Sequence, residues 1–446
     1  MNTYYDLLDL LLTPLYLMVI LIWARWYQQT KIDQHPEYKF FTLGLLAKIG
    51  GAIGVCLIYT FYYSGGDSTL YFDSSKAMLR LADQNPDGFL KVMLEPMSKE
   101  NFSYFNSDTG WPAYRKDVHS FFVVKIITLF SFLAGGSFIN TAILLATVAF
   151  GGIWKLFQFF YSHYPKIGDQ LAVAILFVPS VVFWGSGILK DTITLSAICL
   201  YTFYFHRVFI KRRVRAVPIL LFLLSSYLII TIKPYIFFAI LPGSTIWYIG
   251  TISAYVENKS LRALMTPALA LIGLGLGYLI LENMQDSLGS YRFDNILEKA
   301  VVSQRDQQAE HYQGNSFDIG YFEADIGSML KVGHKAIFAG LFRPALTDVR
   351  NVVMLLSALE NSYILLLTVF LLIKLKVVPF FRFILQDPLL LFSILFAIFF
   401  AFCVGLTTSN FGSLVRLRIP SLPFFLSAMF ILRFYYEKYS GKKLGV

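Results

Sequence analysis

Charge is scarce in this 446-residue sequence: Asp, Glu, Lys and Arg make up 15% of it, against 56% hydrophobic and 17% aromatic residues. A soluble globular chain carries about 25% charged residues, so a water-exposed surface of ordinary composition is excluded. Cysteine is nearly missing as well. Cys56, Cys199 and Cys403 all sit inside apolar runs, which excludes a disulfide framework and a cysteine-rich metal site. The six histidines, His35, His119, His163, His206, His311 and His334, lack metal-ligand spacing. No Gly-x-x-x-x-Gly-Lys-Ser/Thr loop occurs, which argues against ATP-driven transport by this chain alone. A repeat of fixed period is also missing, and the halves are not evidently similar. The start of the sequence has no basic leader and no small-residue cleavage site, so its first apolar run reads as a retained helix rather than a signal peptide.

What the sequence has in abundance is apolar runs long enough to cross a hydrocarbon core of about 30 Å as helices. They fall at roughly 7–25, 41–63, 119–135, 139–161, 171–185, 189–209, 217–232, 236–254, 264–281, 351–373, 389–406 and 421–436. This pattern predicts an all-α integral membrane protein of about twelve transmembrane helices, forming a single polytopic domain over 1–446. The runs around Trp184 and Lys233 are short, which suits broken or partly re-entrant helices. The two longer polar stretches, 64–118 and 282–337, are expected to be extracytoplasmic loops, and no inner loop is long enough for a soluble domain.

The formal net charge is +10, from 38 basic and 28 acidic residues. In a polytopic chain this excess reflects Lys and Arg at cytoplasmic helix ends and implies no nucleic-acid partner. Basic clusters at Lys211 to Arg215, at Lys259 and Arg262, at Lys374 to Arg382 and at Lys438 to Lys443 recur every second pass. The positive-inside rule makes their side cytoplasmic, and with it the C-terminus. Counting back through three passes places 64–118 inside, whereas its aromatic and amphipathic character suits the outer placement adopted here.

Five motifs carry candidate chemistry. Gly65-Gly66-Asp67 follows an apolar helix, where two glycines let the backbone turn tightly and Asp67 is placed as a general base or as a helix cap. Pro179 to Asp191 reads as a proline-containing helix, a Gly-Ser-Gly break and a new helix opening with Lys190 and Asp191. Such an end suits an anion, or else a solvated Lys190–Asp191 pair. Lys233-Pro234-Tyr235 repeats the theme, with a snorkelling lysine as the plainer alternative. Arg343-Pro344, Asp348 and Arg350 lead to Glu360, a carboxylate inside an apolar run that marks function or pairs with a lysine such as Lys48 or Lys125. In the last hairpin, Arg416 and Arg418 project to one side if extended, and guanidinium forks bind phosphate. Together Lys190, Lys233, Arg343, Arg350, Arg416 and Arg418 would ring an outer face against the usual charge bias. That arrangement suggests an anionic, lipid-linked phosphate or diphosphate. Aromatics such as Trp111 read chiefly as interface belt, with sugar stacking open to some of them.

The Gly65-Gly66-Asp67 loop resembles the first outer-loop acid of the GT-C glycosyltransferases, which use polyprenyl-phosphate sugars. The Pro179 to Asp191 block, Arg343-Pro344 and the Asn410 to Pro420 hairpin are similar to motifs of O-antigen and exopolysaccharide polymerases. These blocks are short and spread over most of the chain. The resemblance implies a membrane glycosyltransferase or polymerase of cell-surface polysaccharide assembly, at the outer face of a bacterial inner membrane. A polyprenyl-(di)phosphate-linked glycan would be its donor, and membrane lipid its surroundings. On that reading Asp67 or Glu360 activates the acceptor hydroxyl, while Lys190, Asp191, Lys233, Arg343, Arg350, Arg416 and Arg418 bind substrate, with no resident cofactor or metal indicated. The alternatives are a lipid-linked glycan flippase or transporter, and a non-catalytic scaffold of an envelope complex.

Overall fold

A computed structural model describes residues 4, 7–253, 275, 293–307 and 315–441. The first helices are α1 (Leu7–Ile32), α2 (Phe41–Leu57, prolonged by a π-turn Ile58–Tyr62), α3 (Asp67–Gln84), α4 (Pro86–Leu94), α5 (Lys99–Phe102), α6 (Val118–Leu133) and α7 (Phe138–His163). Then come α8 (Gly168–Leu176), α9 (Pro179–Trp184), α10 (Lys190–Phe205, with a π-turn His206–Ile210), α11 (Ala216–Ile232) and α12 (Pro234–Ser253). The rest are α13 (Phe293–Asp306), α14 (Ile326–Lys331), α15 (Gly333–Phe342), α16 (Val352–Leu375), α17 (Val377–Gln386), α18 (Pro388–Thr407), α19 (Phe411–Leu417) and α20 (Leu422–Ser440). Among the described residues the only β-pairing is an isolated bridge between Ser316 and Asn410.

The chain is a multi-pass helical membrane protein. Among the described residues six helices are long and apolar enough to cross a bilayer: Pro36–Tyr62, Phe138–His163, Lys190–Ile210, Pro234–Ser253, Val352–Leu375 and Pro388–Thr407. A seventh span results if α19 and α20, bent by 69°, are counted as one. Among the described residues the count of about twelve drawn from apolar runs is therefore not reached. Runs 119–135 and 217–232 yield helices of 16 and 17 residues, short of the roughly 20 a straight crossing needs. Run 171–185 breaks at 177–178, just before Pro179, where proline disfavours helix in the residue preceding it. Run 264–281 lies outside the described residues.

The stretch 64–118, expected as a loop, instead contains α3, α4 and α5. The pattern explains it, because Tyr71, Phe72, Met78 and Leu81 line a buried face of α3 while Asp73, Arg80 and Asp83 stay exposed. Asn85 then caps α4 by accepting from the Gly88 N–H at 2.9 Å, with Pro86 at the first helical position. Of the stretch 282–337, the described part contains α13, α14 and the start of α15, with non-helical chain at 315–325.

Contacts divide the chain into two compact units. The first comprises Met1–Gln158, Val181–Leu200 and Tyr227–Lys233. Its apolar core joins Phe72, Met78 and Leu81 of α3 to Val124 and Ile127 of α6 and to Phe138 of α7. The second comprises Phe159–Ser180, Tyr201–Ser226 and Pro234–Val446, with α18 packed against α12, α15 and α20. There the side chains become small enough for backbones to touch. A Cβ on Gly405 would come within 2.0 Å of the Ala336 carbonyl oxygen, and one on Gly340 within 2.2 Å of that of Ala401. Small residues on facing helices are how membrane helices gain close packing where lipid offers no hydrophobic drive. Gly405→Val is expected to lower stability by about 1–3 kcal/mol through overpacking, read as an earlier thermal melt in detergent; an unchanged melt would mean α15 and α18 do not touch this closely.

Candidate functional site

In the first unit, the turn between α2 and α3 is built from Ser64, Gly65 and Gly66, with φ of 54°, 133° and 128°. The two glycines occupy backbone space that other residues rarely enter, and a Cβ on Gly66 would also lie 2.9 Å from the Tyr59 ring. The turn delivers Asp67 into the first turn of α3, one residue past the cap position held by Gly66. A carboxylate there matches the positive helix end. It accepts a hydrogen bond from the Tyr114 hydroxyl at 2.8 Å, and the Tyr114 ring stacks on Tyr71 with centroids 4.5 Å apart.

Lys190 and Asp191 open α10 directly after the Gly185-Ser186-Gly187 break, but their recorded ion pairs run to other elements. The Lys190 ammonium lies 3.2 Å from Asp117, the side chains being 19% and 47% exposed. Asp191 is wholly buried and pairs with Lys233 at 2.5 Å. Lys233 is therefore a buried ion-pair partner and not a snorkelling lysine. Asp67 and Lys233 both act electrostatically on Lys190, which places the three carboxylates and two ammonium groups in one neighbourhood.

Asp117 is the cap of α6. It accepts from the His119 N–H at 3.1 Å and from the Ser120 hydroxyl. Burial pushes its carboxyl upward, but the Ser120 hydrogen bond and the Lys190 ammonium outweigh that and hold it below the ordinary carboxylate value. The Thr231 carbonyl accepts from the His119 ring at 2.7 Å. Beside Asp117 opens a cavity of about 480 Å³, lined by Trp111, Tyr114, Arg115, Lys116 and Asp117.

The break before Lys190 is itself held from α2. Lys48, 3% exposed, donates to the Gly185 carbonyl. Three residues on, Gly51 leaves room for the Val182 carbonyl, which a Cβ would approach to 2.2 Å. Val55, a further turn along, packs against Gly187. One stripe of α2 thus supports residues 182–187, and through them the start of α10.

The remaining predicted residues lie in the second unit. Glu360 has both carboxylate oxygens engaged by Ser180, through the backbone N–H at 2.8 Å and the hydroxyl at 2.6 Å. Neither expected lysine partners it: Lys48 goes to Gly185, and Lys125 donates to the Glu95 carbonyl at 2.7 Å. Arg343 is bound by Asp348 through Nε at 3.0 Å and Nη2 at 2.6 Å. Burial raises the Asp348 carboxyl, but Arg343 and the Ala345 N–H bring it below its ordinary value. Arg350 is exposed near that pair. Arg416 is half-buried on α19.

Arg418 is wholly buried; it donates to the Arg343 carbonyl at 2.8 Å, to the Leu341 carbonyl at 3.3 Å and to the Asn361 side chain. The extended geometry that would send Arg416 and Arg418 to one side is not found. Asn410 caps the Gly412 and Ser413 N–H groups at 2.9 and 3.2 Å and starts a helix instead, in which residues i and i+2 diverge.

The structure thus gathers Asp67, Lys190, Asp191 and Lys233, while Glu360, Arg343, Arg350, Arg416 and Arg418 belong to the other unit. Sequence reasoning missed Asp117, Tyr114, His119 and the support from Lys48. A usable signal was present in Trp111 to Asp117, where two aromatics and three charges precede an apolar helix that Asp117 is suited to cap. Comparison with family models, with curated proteins and with solved structures finds no match to this chain.

Proposed function

We propose that this chain is a membrane glycosyltransferase or polymerase that moves sugar units from a polyprenyl-(di)phosphate carrier during cell-surface polysaccharide assembly. On this reading the short apolar helices also cross, toward about twelve passes in a bacterial inner membrane, with the C-terminus cytoplasmic. The observation that carries the reading is the cluster of Asp67, Asp117 and Lys190 beside a cavity walled by Trp111, Tyr114, Arg115 and Lys116. Aromatic faces suit a sugar ring, cations suit a diphosphate, and a carboxylate can take the proton of an acceptor hydroxyl.

In the proposed step the acceptor oxygen loses its proton to Asp67 and forms the new bond to the anomeric carbon. The bond from that carbon to the lipid diphosphate breaks, and its electron pair leaves with the phosphate. Lys190, with Arg115 and Lys116 at the cavity wall, would stabilise the charge that develops there. Asp67 is preferred to Glu360 as the base because Ser180 occupies both oxygens of Glu360.

The buried Asp191–Lys233 pair beside a helix break favours a second reading, a lipid-linked glycan flippase, since ionisable groups inside membranes often mark transport paths. Deleting the gene and analysing both surface glycan length and lipid-linked intermediates separates them. Loss of polymer with single units still reaching the outer face supports the transferase. Intermediates trapped on the cytoplasmic face support the flippase, and an unchanged glycan profile removes both.

A further inference from the structure

A second cavity, in the second unit and independent of the reading above, has the makings of a binding site. It measures about 440 Å³ and is lined by Asp318, Ile319, His334, Lys335, Phe338 and Arg343, among others. Its wall is braced. The Phe317 N–H donates to the Ser409 carbonyl at 2.7 Å and the Phe411 N–H to the Asn315 carbonyl at 2.8 Å, which sets the two rings in a stack with centroids 5.1 Å apart. The Arg343 guanidinium lies 5.1 Å from each of those ring centres.

Arg343 is also fixed from behind. Its own carbonyl is held by Arg418, and the neighbouring Pro344 carbonyl by Asn361 at 2.8 Å. Asp348 takes its Nε and one Nη2 hydrogen, which leaves its Nη1 group without an acceptor among the described residues. Asp348 is in turn spent on Arg343 and the Ala345 N–H. The Lys335 and His334 side chains are exposed in the first turn of α15 and have no side-chain partner among the described residues. The one other carboxylate at the cavity, Asp318, accepts the Gly320 N–H at 2.8 Å. Gly320, at φ 99°, passes close under Lys335, whose ammonium would lie 3.7 Å from a Cβ there.

Arg343, Lys335 and His334 line this cavity together with the Asp318 carboxylate, so donors outnumber the one acidic group, and Ile319 and Phe338 form its apolar side. A phosphate monoester presents three strong acceptor oxygens and up to two negative charges, one oxygen and about one charge more than a carboxylate. We infer that this cavity binds a phosphate monoester group. The group would come from a lipid headgroup, its tail lying along Phe338 and Ile319, or from free phosphate, and one experiment tells the two apart.

The full chain in detergent is titrated calorimetrically with dioctanoyl phosphatidic acid, with inorganic phosphate and with dioctanoylglycerol as the phosphate-free control. Saturable binding of phosphatidic acid is expected, weakened at least tenfold by Lys335→Gln and by Arg343→Gln. Lys335 is exposed, so its variant keeps the test decisive even if Arg343→Gln misfolds. Comparable, Lys335-dependent binding of inorganic phosphate would assign the site to free phosphate, and its failure to bind would assign it to a lipid. Equal binding of dioctanoylglycerol, absence of saturable binding by either phosphate, or indifference to Lys335→Gln would overturn the site.

Discussion

Lys233→Met is expected to destabilise the protein by about 3–5 kcal/mol, because it removes the ammonium partner of a wholly buried carboxylate. Asp191 is 0% exposed and its 2.5 Å ion pair with Lys233 is formed where water has little access to compensate. The loss follows from the charge that remains and not from the net worth of the pair, which burial makes modest. Two further variants test that logic. Asp191→Asn alone strands the ammonium and is expected to be similarly harmful, whereas Asp191→Asn combined with Lys233→Met removes both charges and should recover much of the stability. The measurement is unfolding in detergent for the wild type, both single variants and the double variant. Strict additivity of the two single losses would mean the groups do not interact and would remove the ion pair from this site.

Much of the fold could be read from composition and periodicity. Run 351–373 becomes α16, run 389–406 becomes α18 and run 139–161 becomes α7, each within a few residues, because twenty apolar residues in a row have few other uses. What the apolar runs could not reveal was amphipathic helix outside them. The amphipathic character of 64–118 is visible in the sequence, but that its hydrophobic residues meet α6 and α7 in a buried core is not. The site was legible in part. Asp67, Lys190, Asp191 and Lys233 stood out as charges at helix breaks, and they do converge. Their pairing did not follow from the sequence, since Lys190 reaches Asp117, 73 positions away, in preference to its neighbour. Arg343 and Arg418 also looked alike as outer cations. Only packing separates a partly exposed guanidinium paired with Asp348 from a wholly buried one held by the Leu341 and Arg343 carbonyls and the Asn361 side chain.

Asp67→Asn is expected to reduce glycosyl transfer by about 10²–10⁴-fold, the usual contribution of a positioned general base. The fold should survive, because an asparagine carbonyl can still accept from the Tyr114 hydroxyl that now bonds Asp67 at 2.8 Å. The assay is elongation of a lipid-linked glycan in proteoliposomes, with donor binding measured in parallel. A loss of rate with donor affinity retained would mark Asp67 as the base, and a loss of affinity alone would make it a binding group. The pH dependence of stability bears on Asp117. Lowered in the folded protein, the Asp117 carboxyl contributes stability that is present above the ordinary carboxylate range, near pH ~4, and is lost as pH falls through the lower folded value. Asp117 therefore keeps its charge as pH falls from neutral to about 5, and a fall in rate between about pH 7 and 5 would not come from its protonation. If Asp67→Asn instead transfers sugar at the wild-type rate throughout that range, the base is not Asp67, and the proposed chemistry at the end of α3 is wrong.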